Sequence, residues 1–157
     1  MAGWTPEDSE LAAIKETIAK FAASTDATID KRHLPDLCLD VDDDPDGLDE
    51  EKVHKAAKQL WGLICNPMQR VACGLPKMTH EMYAKLFQLD RARQAAAFAS
   101  YALVMLDEAH DCTAAQIDVL AQAPCRKLVV YDPHQAIYQI RHARGRSMRS
   151  TPSRRAR

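Results

Sequence analysis

Leu11, Ile14, Ile18 and Phe21 recur at the three- and four-residue spacing that stacks side chains on one face of an α-helix. The spacing predicts a helix over 5–23. Thr5 can cap it, Pro6 suits its first turn, and Glu7 and Asp8 lie where the helix dipole favours negative charge. No period holds from 24 to 47, and Asp42 through Gly47 reads as an exposed loop. Helical spacing returns in Val53, Ala56, Ala57, Leu60, Trp61 and Ile64, predicting a second helix over 48–64. Asn66-Pro67 ends it, because the residue before proline is pushed out of the helical region. After a break at Gly74-Leu75-Pro76, a third helix is predicted over 79–98, with Met82, Leu86, Leu89 and Phe98 in the core.

The pattern then changes. Tyr101 to Leu106 is a short, continuously apolar run, which predicts a strand buried on both faces. Thr113 can cap a short helix through Gln122, with Ile117 and Leu120 inward, and Ala123-Pro124 stops it. Leu128 to Tyr131 predicts a second buried strand. Strand, helix and strand in that order imply a parallel pair, and hence an α/β chain. Open parallel sheets carry their working groups at the carboxyl ends of the strands. Those ends hold Asp107-Glu108-Ala109-His110 and Asp132-Pro133-His134-Gln135.

These residue types suit nucleotide hydrolysis. Asp107 can hold Mg²⁺, which takes few protein carboxylates and keeps its waters and phosphate ligands. Glu108 can polarise an attacking water, and Gln135 can contact the terminal phosphate. An acidic pair at a strand end is by itself an ordinary way to start a helix. Its coupling to Asp132 through Gln135 after a second strand gives it chemical meaning. Other candidates fall away. His80-Glu81 begins a zinc-protease pattern, but Ala84 stands where the second histidine belongs. Asp42 through Gly47 lacks the spacing and closing glutamate of a calcium loop. The cysteines and histidines show no zinc spacing.

The chain is one domain long at 157 residues, and its charge is unevenly spread. Residues 1–50 hold 14 acids and 4 bases, whereas residues 141–157 hold seven arginines and no acid. Such ends read as tails or partner-facing surfaces rather than core. Five cysteines, none in a C-x-x-C pair, and an acidic, amphipathic start suggest an intracellular protein with reduced thiols. No stretch approaches the roughly 18 apolar residues of a membrane span, so no membrane is expected among its partners.

Residues 101–143 resemble motifs II and III of superfamily 1 DNA helicases of the UvrD/Rep type, and most of all the F-box DNA helicases. The stretch Leu106-Asp107-Glu108-Ala109-His110-Asp111-Cys112-Thr113 is similar to that family's motif II, and Asp132 through Tyr138 to its motif III. Upstream, Lys77 through Leu89 and Thr17 through Asp26 also look like family segments. The resemblance implies an incomplete RecA-like P-loop NTPase motor domain with a helical N-terminal part. It makes Asp107 the magnesium aspartate, Glu108 the catalytic base and Gln135 the γ-phosphate glutamine. Asp132 and His110 join the cofactor-binding set, with ATP and Mg²⁺ as cofactors. Tyr138 and Arg141 take positions that face single-stranded DNA, the implied partner. The chain departs from the family at His110 (usually glutamine), Tyr131 (a glycine), Ala136 (a polar residue) and Ile140 (an aromatic).

The largest departure is the phosphate loop. None of the five glycines begins G-x-x-x-x-G-K-[ST], so the backbone cradle and its lysine are missing from these residues. The spelling Asp107-Glu108-Ala109-His110 also names a superfamily 2 group, but there a Ser-Ala-Thr motif follows the next strand, and here Asp132 through Gln135 follows. The expectation is therefore a helicase segment that is inactive alone and partnered by a missing helicase half. Residues 1–76 would be a helical insert with an acidic loop, 77–143 the partial motor core, and 144–157 a basic, disordered tail. That tail also reads as a nuclear-localisation or nucleic-acid patch. Two rivals remain: a non-catalytic protein that docks on DNA or a helicase, and a small nucleotide hydrolase with an unrecognised phosphate loop.

Overall fold

The structure is a computed structural model that describes residues 8–36 and 48–131. Over these residues it is mostly helical, with one small parallel sheet. The first helix, α1 (Asp8–Ala23), buries Ile14, Ile18 and Phe21 as the stripe predicts, and Thr17 with them. Thr17 tolerates burial because its hydroxyl donates to the Ala13 carbonyl at 2.7 Å. The expected cap at Thr5 and the acidic loop at 42–47 lie outside the described residues.

The segment after α1 contributes more than the sequence suggested. Asp30 caps a single 3₁₀ turn (Lys31–His33) by accepting from the Lys31 amide at 2.7 Å. Ile29 and Leu34 on either side are buried in the main core. The second helix, α2 (Glu50–Cys65), is capped by Asp49 and brings Val53, Ala57 and Ile64 to that core. Trp61 meets the Phe21 ring edge-on at 5.3 Å. Asn66 ends α2 as expected, but its side chain also accepts from the Met68 and Gln69 amides and opens a short third helix, α3 (Pro67–Ala72). Pro67 stands in the first turn of α3, where a missing N–H costs nothing. Gly74 then turns the chain with φ 63°, a value that favours glycine.

The helix expected over 79–98 is two helices, α4 (His80–Leu89) and α5 (Arg91–Phe98). Asp90 breaks them apart: its carboxylate accepts from the Arg93 amide at 2.9 Å, which caps α5 and takes Asp90 itself out of the helical region. The expected core residues Met82, Leu86, Leu89 and Phe98 are only half-buried, while Lys85, Gln88 and Gln94 are buried.

Strand β1 (Leu103–Leu106) runs parallel to β2 (Arg126–Val129), with Leu103 opposite Arg126 and Leu106 opposite Val129. The crossover is α6 (Ala114–Gln122), opened by a reciprocal cap between Thr113 and Gln116. The parallel pair is as predicted. Its bounds are not: β1 starts two residues later than expected, and β2 runs two residues earlier. The expected double burial is also absent, since Met105 is 64% exposed and Leu103, Leu128 and Val129 are each 45% exposed. Strands of a parallel sheet are buried on both faces only where helices or sheets cover each face, and these side chains are left partly uncovered. With two strands, each has a bare outer edge, and no further strand among the described residues covers them. No helix among the described residues is long and apolar enough to cross a membrane.

Candidate functional site

The loop after β1 is stitched to the end of β2. The Val130 amide donates to the Leu106 carbonyl at 2.8 Å, and the Ala109 amide donates back to the Val130 carbonyl at 3.0 Å. This pair of bonds holds Asp107 and Glu108 at the carboxyl end of the sheet. Asp107 is exposed, and its Oδ1 accepts from the Glu108 amide at 3.0 Å. Glu108 has φ 51° and ψ 42°, the only left-handed non-glycine backbone among the described residues. A side chain that must sit in this region costs free energy, and such strain tends to collect at functional sites. The Glu108 carbonyl then accepts from the Asp111 amide at 2.9 Å, which closes a 3₁₀ turn (Ala109–Asp111).

The His110 ring is buried beneath the loop, with Nε2 3.4 Å from the Glu108 carboxylate and 3.8 Å from that of Asp111. The buried imidazole thus sits behind an exposed glutamate, where it can orient the carboxylate. Burial pushes the Cys112 thiol up, and neighbouring Asp111 adds to the effect, so Cys112 is a poor nucleophile.

A polar layer links α6 to α4 and α5. Asp118 on α6 accepts from Gln88 and from Arg91, each at 2.7 Å. Burial pushes the Asp118 carboxyl up, but hydrogen bonds from Gln88, Arg91 and Gln122 outweigh it and hold the group below its ordinary value. Gln94 in turn donates to the Phe87 and Gln88 carbonyls at 2.7 Å each. This layer explains the burial of Gln88 and Gln94. Apolar periodicity does not register such residues; their signal, a run of long polar side chains on the inner face of a helix, is weak.

Of the sequence-predicted site residues, the structure brings Asp107, Glu108 and His110 together. Asp132, Gln135, Tyr138 and Arg141 lie outside the described residues. Tyr131, the residue before them, is exposed. Among the described residues no group of three or more histidine, cysteine or acidic side chains could hold a metal ion. A cavity of about 450 Å³, lined by Phe87, Phe98, Tyr101, Leu103 and Met105 among others, does not reach Asp107 or Glu108.

The chain is similar to known helicases over most of its length. It is 29% identical over 136 residues to F-box DNA helicase 1 of Gallus gallus, a match covering 83% of this chain and 13% of that protein. It is 33% identical over 141 residues to F-box DNA helicase protein 1 of Schizosaccharomyces pombe, covering 88% of this chain and 15% of that protein. The chain therefore spans a small part of the curated relatives it matches. No family model and no solved structure matches it. The matches support a helicase-like relationship.

Proposed function

We propose that the chain is part of the RecA-like first motor domain of a UvrD/Rep-type DNA helicase of the F-box group, and that Asp107 and Glu108 form the magnesium- and water-handling side of its ATP site. One observation carries the reading: adjacent carboxylates stand at the carboxyl end of a parallel strand, in a loop bonded to the neighbouring strand, with the second carboxylate on a strained backbone. Asp107 fits a magnesium ligand, because one of its oxygens takes the Glu108 amide and the other carries no hydrogen bond among the described residues. When bound with nucleotide, magnesium supplies charge neutralisation at the phosphates. Glu108 projects an exposed carboxylate that can orient a water and take its proton, with His110 behind it. Gln135 contacts the terminal phosphate in this reading, Asp132 takes part in binding the cofactor, and Tyr138 and Arg141 meet single-stranded DNA.

The cradle for the phosphates then has to come from outside these residues, since no G-x-x-x-x-G-K-[ST] motif is present among them. The test is calorimetry and phosphate release with purified residues 1–157. Binding of Mg-ATP should be millimolar or weaker, about −4 kcal/mol or less favourable, with no hydrolysis above background. Micromolar binding with turnover would refute the half-site reading and favour a self-sufficient nucleotide hydrolase. A second reading, a non-catalytic protein that docks on DNA, draws on the seven arginines of residues 141–157. In that case truncation at residue 143 should abolish salt-sensitive DNA binding.

A further inference from the structure

Between Lys52 and His80 the chain carries five lysines and arginines and no acid, although its net charge as a whole is −1. Lys52 is paired with Glu10. Lys55, Lys58, Arg70 and Lys77 enter no salt bridge among the described residues. Lys55, Lys58 and Lys77 are exposed, and Arg70 is half-buried. Two acids of α1, the helix packed beside α2, are engaged elsewhere, Glu10 with Lys52 and Glu16 with Lys20.

Helical spacing sets Lys55, Lys58 and Gly62 on one face of α2. α3 packs against α2 and turns Met68 and Val71 to solvent. They are 81% and 75% exposed, more than any other large apolar side chain among the described residues. Gly62 is exposed in the interior of a helix, where glycine is a weakness. Nothing within the fold requires it: its backbone is not left-handed, and an added Cβ would meet no atom within 4 Å. The glycine leaves a patch of bare helix between the lysines and α3, open to close approach by another backbone.

These features suit a nucleic-acid backbone. Unpaired cations take phosphates, and exposed amides such as Gln59 and Gln69 take phosphate or sugar oxygens. The one aromatic of the stretch, Trp61, meets Phe21 edge-on against the core. The stretch therefore offers no free ring to an unstacked base, the contact on which single-strand binding relies. We propose that the face formed by α2 and α3 docks duplex DNA through its phosphates. Lys55, Lys58, Arg70 and Lys77 contact the phosphates, and Gly62 lets the DNA backbone close on α2. Met68 and Val71 supply apolar contact with the sugars. DNA as the occupant rests on the reading of DNA as this chain's partner. The face is separate in sequence from the Asp107–Glu108 loop and from the seven arginines of residues 141–157.

The test is fluorescence anisotropy with a labelled duplex of mixed sequence, about 20 base pairs long, between about 50 and 200 mM salt. Residues 1–157 are compared with a variant carrying Lys55→Gln, Lys58→Gln, Arg70→Gln and Lys77→Gln. The arginine-rich tail binds DNA as well, so the readout is the slope of log affinity against log salt. Losing four phosphate contacts should make that slope shallower by about 2–4, with the melting temperature unchanged. A single strand of the same length should show a smaller change. An unchanged slope on the duplex assigns all binding to the tail and overturns the proposal, and so does an equal change on the single strand. A parent chain that binds no DNA overturns it together with the DNA reading. Should the fourfold variant not fold, Gly62→Glu decides. One acid on the bare helix should weaken duplex binding severalfold and leave the fold intact, and undiminished binding overturns the proposal.

Discussion

At Glu108 the backbone takes φ 51° and ψ 42°. For a residue with a Cβ this left-handed conformation costs about 1–2 kcal/mol. Glycine removes that cost but loses about 0.5–1 kcal/mol relative to alanine through the extra freedom of its unfolded chain. The Glu108 carboxylate lies 3.4 Å from His110 Nε2 and is 60% exposed, so screening limits that pair to about 0–1 kcal/mol. Comparing Glu108→Gly with Glu108→Ala cancels the contact, since both lose the carboxylate. The glycine variant should then be the more stable by about 0.5–1 kcal/mol, the reverse of the usual order. Urea denaturation of the two variants, with equal m-values, measures the difference directly. An alanine variant as stable as the glycine variant, or more so, would refute the strain argument.

Two further outcomes follow from packing and charge. Asp118→Ala should destabilise the chain by about 1.5–3 kcal/mol, because Gln88 and Arg91 lose a charged acceptor. The pH dependence has a definite sign: the Asp118 carboxyl is held below 3.8, so its contribution is complete above that value and is lost as pH falls through the lower folded value. An acid limb of the stability curve that is the same in Asp118→Ala as in the parent would count against it. Met105→Lys should reduce hydrophobic-dye binding and aggregation while changing stability by less than about 0.5 kcal/mol, as Met105 is 64% exposed on the sheet. A loss of several kcal/mol would mean that Met105 is covered in solution.

Much of the fold is written in apolar spacing. The α1 stripe, the inward face of α2 and the parallel β-α-β order were all readable, because burial selects apolar residues at the period of each element. The acidic pair at the end of β1 was readable for the same reason: a strand that ends abruptly in two carboxylates exposes them. Two kinds of feature leave no apolar signature: local caps made by polar side chains, and polar side chains buried against distant carbonyls. Asp90 is compatible with a helix interior until its side chain captures the Arg93 amide, and Asn66 both ends one helix and opens another. Lys85, Gln88 and Gln94 are buried because loop and helix-end carbonyls need donors, a demand set by residues about 60 positions away for Lys85 and Gln88. A continuous apolar run implies a buried strand only when packed layers cover both faces of its sheet, and the run does not encode them. The left-handed backbone of Glu108 has no signature in residue type.

The proposal that residues 101–143 form the magnesium- and water-handling side of a helicase ATP site can be tested by transplanting them. The most direct measurement is DNA-stimulated ATP hydrolysis by a chimera in which this stretch replaces its counterpart in the fission-yeast relative, beside the same chimera carrying Glu108→Gln. Both proteins should be shown to unfold at the parent's temperature. Hydrolysis in the chimera should be comparable to the parent's and should fall by about 10²–10⁴-fold in the glutamine version, the usual contribution of a general base. A folded chimera without activity, or one that Glu108→Gln leaves unchanged, would contradict it.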